Sequence, residues 1–114
     1  MTVQECYEAM GGSYDEVLSR FRKEDRIQKF LGKFLADPSY ETLRKTLAED
    51  NRAEAFRAAH TLKGVAQNLG LVRIYTSSSA IAEILRGGST EGVEPLMEEL
   101  EACYHQAVSL IRTL

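Results

Sequence analysis

The chain has 114 residues, 44% hydrophobic and 27% charged, with a formal net charge of −3. That balance describes one modest globular unit and excludes the strongly basic footprint of a nucleic-acid binder; the cations are scattered rather than gathered along one stripe. No apolar stretch approaches membrane-spanning length and Met1 to Gln4 lack a charged-then-apolar signal pattern, so the expectation is a cytoplasmic monomer with no membrane partner.

Period-two runs of β-branched and aromatic residues are missing, and Ala, Leu, Glu, Lys and Arg dominate, which predicts an all-α fold. Thr2 with Glu5 makes a capping box for a short helix ending at Gly11-Gly12. Ser13 with Glu16 repeats the device for a second short helix to about Phe21. From Glu24, the stripe Ile27, Phe30, Leu31, Phe34 and Leu35 marks a longer helix that stops near Asp37-Pro38. Ser39 is placed to cap the next helix, which carries Tyr40, Leu43 and Leu47 inward. Asp50-Asn51 is a turn. The following helix runs to Gly70, a left-handed C-cap, and the next buries Leu71, Ile74, Tyr75, Ser78, Ile81, Ala82 and Leu85. Gly87-Gly88-Ser89-Thr90 is the clearest loop. The last helix, about Glu91 to Arg112, buries Val93, Leu96, Met97, Leu100, Cys103, Tyr104, Ala107, Val108 and Ile111. Short connections make neighbouring helices antiparallel. The expected architecture is an up-and-down four-helix bundle of 24–49 (broken at Pro38), 53–69, 71–86 and 91–113. The short N-terminal helices pack across one end.

His60 is the informative residue. At about 100° per residue, Ala55, Ala58, Ala59, Leu62, Val65, Ala66 and Leu69 share one arc, and His60 points roughly 160° from its centre. Gly64 stands beside it, with Lys63 and Gln67 flanking. Phe56, His60, Lys63, Gly64 and Gln67 thus form one outward stripe. A neutral imidazole is a competent nucleophile near pH 7, and phosphoryl transfer asks the protein mainly for alignment and charge compensation. Lys63 can supply charge, with Arg57 helping from the same flank. Gly64 leaves the approach open, and Gln67 can hydrogen-bond a phosphoryl oxygen. Phe56 is either part of a docking patch or tucked under a loop or the N-terminal helices. His105 lies on a solvated face with Glu101 four residues before it, an i, i+4 pair that needs no function. Cys6 and Cys103 lack metal-type spacing and are expected to be reduced, small apolar residues. The serines at 77–79 allow close helix approach.

The run His60-Thr61-Leu62-Lys63-Gly64, followed by Asn68-Leu69-Gly70, resembles the signature of histidine-containing phosphotransfer (HPt) domains. These helical modules relay phosphate between aspartates of response-regulator receiver domains. The close resemblance covers about Ala53 to Arg86, with a looser likeness upstream through Phe34-Leu35. It implies one HPt-like domain over 1–114, with 1–22 as N-terminal capping helices and 24–113 as the bundle. It makes His60 the phosphoacceptor, Lys63 electrostatic support, Gly64 steric clearance and Gln67 a polar contact, with Phe56 and Arg57 for partner docking. The implied partners are receiver domains and a hybrid sensor histidine kinase. Magnesium would be bound by the receiver, and this chain itself needs no metal or cofactor. Many relatives orient the imidazole with a glutamine or acid on the next helix. The matching register here, Ala82 to Ile84, offers only Glu83, directed away from the core.

Two other classes stand beside this reading. One is a helical module that binds receivers without phosphotransfer. The other is a metal-binding oxidoreductase bundle, which would need inward Glu-x-x-His motifs that the chain does not contain. Nor is there a G-x-x-x-x-G-K nucleotide loop, so no enzyme activity and no autophosphorylation are expected.

Overall fold

Seven helices account for the apolar stripes of the sequence. In a computed structural model describing residues 1–114, they are α1 (Val3–Met10), α2 (Tyr14–Phe21), α3 (Glu24–Leu35), α4 (Ser39–Ala48), α5 (Arg52–Asn68), α6 (Val72–Arg86) and α7 (Val93–Ile111). The chain is all-helical, as its composition demands. No helix is long and apolar enough to cross a membrane.

The bundle forms around α5. Its buried residues are Ala55, Ala58, Ala59, Leu62 and Ala66, and it packs extensively on α4 and α6. The facing part of α6 buries Ser77, Ser78, Ile81 and Ala82. Small residues on both sides let the two backbones approach closely. The buried hydroxyl of Ser78 is satisfied within its own helix, donating to the Ile74 carbonyl at 2.6 Å. α7 then packs on α6, α1 and α3 but hardly touches α5, which places it diagonally across the bundle.

α1 and α2 cover the end of the bundle where α5 turns into α6. Three contacts fix them there. The buried Tyr7 hydroxyl donates to the Leu69 carbonyl at 2.7 Å. The Ser13 N–H donates to the Gly70 carbonyl at 3.1 Å. Arg20 Nη1 donates to the Gln67 carbonyl at 3.3 Å and to that of Asn68. Arg20 thereby puts a cation on the carbonyl-rich C-terminus of α5, where the helix dipole favours it. Gly70 has no alternative at this junction: its φ is +64°, and a Cβ would lie 2.4 Å from a Val17 methyl.

Several local expectations need correction. The Thr2–Glu5 capping box is formed, but Ser13 makes no side-chain cap and Ser39 is the first helical residue rather than the cap. Asp37 does that work, its Oδ1 accepting from the Ser39 N–H at 2.8 Å. Leu96, Met97, Cys103, Tyr104 and Val108 are half-buried, because α7 contacts no neighbour along its outer flanks. Phe30, Leu35, Leu47 and Tyr75 are half-buried in the same way. Cys6 is buried, Cys103 half-buried, and both are free thiols. His105 does not pair with Glu101. Its ring instead sits edge-on to Tyr40 at 5.8 Å and Tyr104 at 5.7 Å, two rings that stack on each other at 4.0 Å.

Replacing Tyr7 by Phe strands the buried Leu69 carbonyl and should cost about 1–2 kcal/mol in urea unfolding. The same phenol gives alkaline behaviour a sign. Burial raises the Tyr7 pKa above its ordinary value of 10.0, so the unfolded chain loses that proton first. Stability should therefore be intact below about pH 10 and fall above it. Tyr40 and Tyr104 shift in the same direction, so Tyr7→Phe should shallow the fall without abolishing it.

Candidate functional site

Because the apolar arc of α5 is committed to α4 and α6, the opposite arc faces out. The structure puts His60, Gly64 and Gln67 there as exposed residues, with Lys63 and Phe56 half-buried on the flank. Arg57, expected on the flank of Lys63, is instead exposed on the opposite flank, because it precedes His60 by three residues where Lys63 follows by three, and its Nη1 is held by Glu54 Oε1 at 2.7 Å. The expected stripe is thus assembled on one helix face. Lys63 has no carboxylate within ion-pair distance, so its charge is uncommitted, while that of Arg57 is shared with a surface acid. Such exposed pairs contribute little and are readily exchanged.

Gly64 lies in the interior of a 17-residue helix, yet a Cβ built on it would meet nothing within 4 Å. The glycine does not serve packing inside this chain. It leaves a gap in the outer surface one turn beyond His60.

Phe56 is neither under a loop nor under the N-terminal helices, which sit at the far end of α5. It packs against the edge of the core and stacks on His60, the ring centroids 6.0 Å apart and the planes 25° from parallel. The Arg86 guanidinium, from the last turn of α6, lies over the Phe56 ring at 5.5 Å. Arg86 in turn pairs with Glu83 at 3.4 Å, which accounts for the outward direction of that acid. Neither nitrogen of His60 is hydrogen-bonded to the protein; the side-chain bonds nearest in sequence are those of Asn51, Glu54 and Arg57.

Arg86 and Arg20 are the two site neighbours that helical periodicity alone does not reveal. Arg86 could have been found by pairing positions roughly equidistant from the Gly70 turn, since α5 and α6 run antiparallel from it. Arg20 has no such signal, because its contact depends on how α2 folds back over the bundle end.

Charge is unevenly distributed around this face. Arg26, Lys29 and Lys33 recur at i, i+3 and i+7, share one exposed side of α3 and make no ion pair, so part of the basic charge does form a short stripe. Lys33 also rests over the Phe30 ring at 5.0 Å. A groove of about 200 Å³ separates this part of α3 from Val65, Asn68 and Leu69 of α5. On the diagonal side, α7 carries Glu94, Glu98, Glu99 and Glu101, with no cation before Arg112. No cluster of three or more His, Cys, Asp or Glu side chains is arranged to hold a metal ion.

The family model described as "Hpt domain" matches residues 30–109, which takes in α4 to α7 and the second half of α3. No curated protein and no solved structure matches the chain.

Gly64→Ala should stabilise the protein by up to about 1 kcal/mol, since alanine is the better helix former and the added methyl meets open space. Gly32 of α3 is equally free of neighbours, and Gly32→Ala should behave alike. Thermal or urea unfolding checks both, and destabilisation by Gly64→Ala would show that the position is packed.

Proposed function

The chain belongs to the Hpt domain family, whose members are phosphocarrier modules of phosphorelays, and we propose that His60 is the residue through which this one carries phosphate. The observation that supports it is an exposed imidazole on a rigid helix, beside an uncommitted lysine and a side-chain-free position. A ring nitrogen attacks the phosphorus of an aspartyl phosphate on a receiver domain. The N–P bond forms as the acyl O–P bond breaks, the aspartate leaves as a carboxylate with its electron pair, and the proton on the other ring nitrogen passes to solvent. Onward transfer reverses these steps toward a second aspartate.

Lys63, one turn on, offsets the charge of the phosphoryl group, which in such transfers is spread over its equatorial oxygens. Gln67 offers an amide N–H to a phosphoryl oxygen. Gly64 leaves room for the rim of the incoming domain, and Phe56 and Arg57 border the docking face. The partners are receiver domains, loaded upstream by a hybrid sensor histidine kinase. Magnesium belongs to the receiver's carboxylates. The protein acts as a cytoplasmic, monomeric intermediate, one domain over 1–114, without ATP-dependent activity of its own.

Incubation with a phosphorylated receiver domain tests this directly. Wild type should acquire acid-labile, alkali-stable label, and His60→Gln should acquire none. Lys63→Ala should slow transfer about tenfold or more without unfolding the protein, as expected when one charge-stabilising group is lost. Gly64→Ala should be more stable yet slower in transfer, while Gly32→Ala gains stability at no cost in rate. Failure of every receiver to load His60, with binding retained, would favour an interaction module that docks receivers without relay.

A further inference from the structure

An exposed histidine has two free side-chain torsions, and something must hold its ring if a nitrogen is to meet phosphorus in line. Neither nitrogen of His60 is hydrogen-bonded to the protein. On one side the neighbour a turn away is Gly64, which has no side chain to offer. Arg57 is engaged with Glu54, and Lys63 can only repel a charged ring. The aromatic neighbour of the imidazole is Phe56, one turn earlier, with ring centroids 6.0 Å apart and planes 25° from parallel.

Phe56 is itself well fixed. One side packs on the core, and the Arg86 guanidinium lies over the ring at 5.5 Å. Arg86 stands in the last turn of α6, where the helix dipole favours a cation, and shares its exposed charge with Glu83 at 3.4 Å. Glu83, Arg86, Phe56 and His60 thus form a continuous row from one helix to the next. Cation–π and ring–ring contacts of this type each contribute about 0.5–1 kcal/mol at exposed sites, enough to bias one rotamer over its alternatives.

We propose that Phe56, clamped by Arg86, is the positioning residue of His60. The neighbouring ring restricts the imidazole torsions sterically, where a hydrogen-bonding side chain would hold it by its second nitrogen. Both ring nitrogens stay free of protein partners. The proton displaced during phosphorylation therefore has no protein acceptor and leaves to water. The inference rests on the reading of His60 as phosphoacceptor.

Two measurements on the full chain test it. In the NMR spectrum of unphosphorylated protein, Phe56→Leu should shift the His60 ring protons, as the ring current of the neighbouring phenyl is lost. Amide resonances of α1 to α3 should stay in place. In single-turnover transfer from a phosphorylated receiver, Phe56→Leu should lower the maximal rate about three- to tenfold, the scale of re-freezing one side chain. Any rise in the half-saturating receiver concentration reports the place of Phe56 on the docking face and is read separately from the maximal rate. Phe56→Tyr, which keeps the stack, should restore both signals, and Arg86→Gln should give smaller losses in the same direction. Unmoved His60 ring protons in Phe56→Leu would overturn the proposal. So would a loss confined to half-saturation, which marks Phe56 as a docking contact only. The ring-proton signal needs no phosphate, so a wild-type protein that cannot be loaded would refute the carrier reading independently.

Discussion

Close apposition of α5 against α4 and α6 governs everything else in this molecule. Ala55, Ala58, Ala59 and Ala66 give α5 a low, even surface, relieved by Leu62, and Ser78 and Ala82 are buried small residues of α6. A helix packed so tightly on one arc has no freedom to roll. The outward direction of His60 is therefore fixed by residues that never touch it. Dispersion and apolar burial supply the attraction, and the absence of bulky side chains at the seam sets the short distance.

The end of that seam is secured differently. Where α5 gives way to α6, Leu69, Gly70 and the last carbonyls of α5 would be left with unpaired polar groups. Tyr7, Ser13 and Arg20 meet them from α1 and α2. The N-terminal helices lie entirely outside the segment that the family model matches, yet they complete the hydrogen bonding of the helix that carries the site. Gly70 allows this by combining a left-handed turn with near-zero bulk.

Much of this was legible before any coordinates. Capping residues mark the first two helices and apolar periodicity the longer ones, and the angular position of His60 on its helix follows from a 3.6-residue period. What stayed hidden depends on tertiary placement. Ser13 looks like a cap, but it sits where the chain folds onto Gly70, and it is its backbone N–H that makes the bond there. Ser39 looks like a cap, but it is the first helical residue, and its own N–H is met by Asp37 from two residues back. Glu101 has the spacing to meet His105, yet the imidazole finds the Tyr40–Tyr104 pair instead. Periodicity gives the face of a residue and is silent on which partner wins among several within reach. For the same reason the contact between Phe56 and Arg86 appears only once α5 and α6 are laid side by side.

The separation of acids on α7 from unpaired cations on α3 has a consequence at distances beyond contact. A body of net charge −3 repels other anions on average, but the unpaired cations of α3 weaken that repulsion locally. An anionic protein diffusing nearby meets weaker repulsion over Arg26, Lys29 and Lys33 of α3 than over Glu94, Glu98, Glu99 and Glu101 of α7. The bias persists to about a Debye length, roughly 10 Å at 0.1 M salt, and fades as ionic strength rises. Collisions in dilute buffer are thus pre-sorted by orientation before any side chains meet.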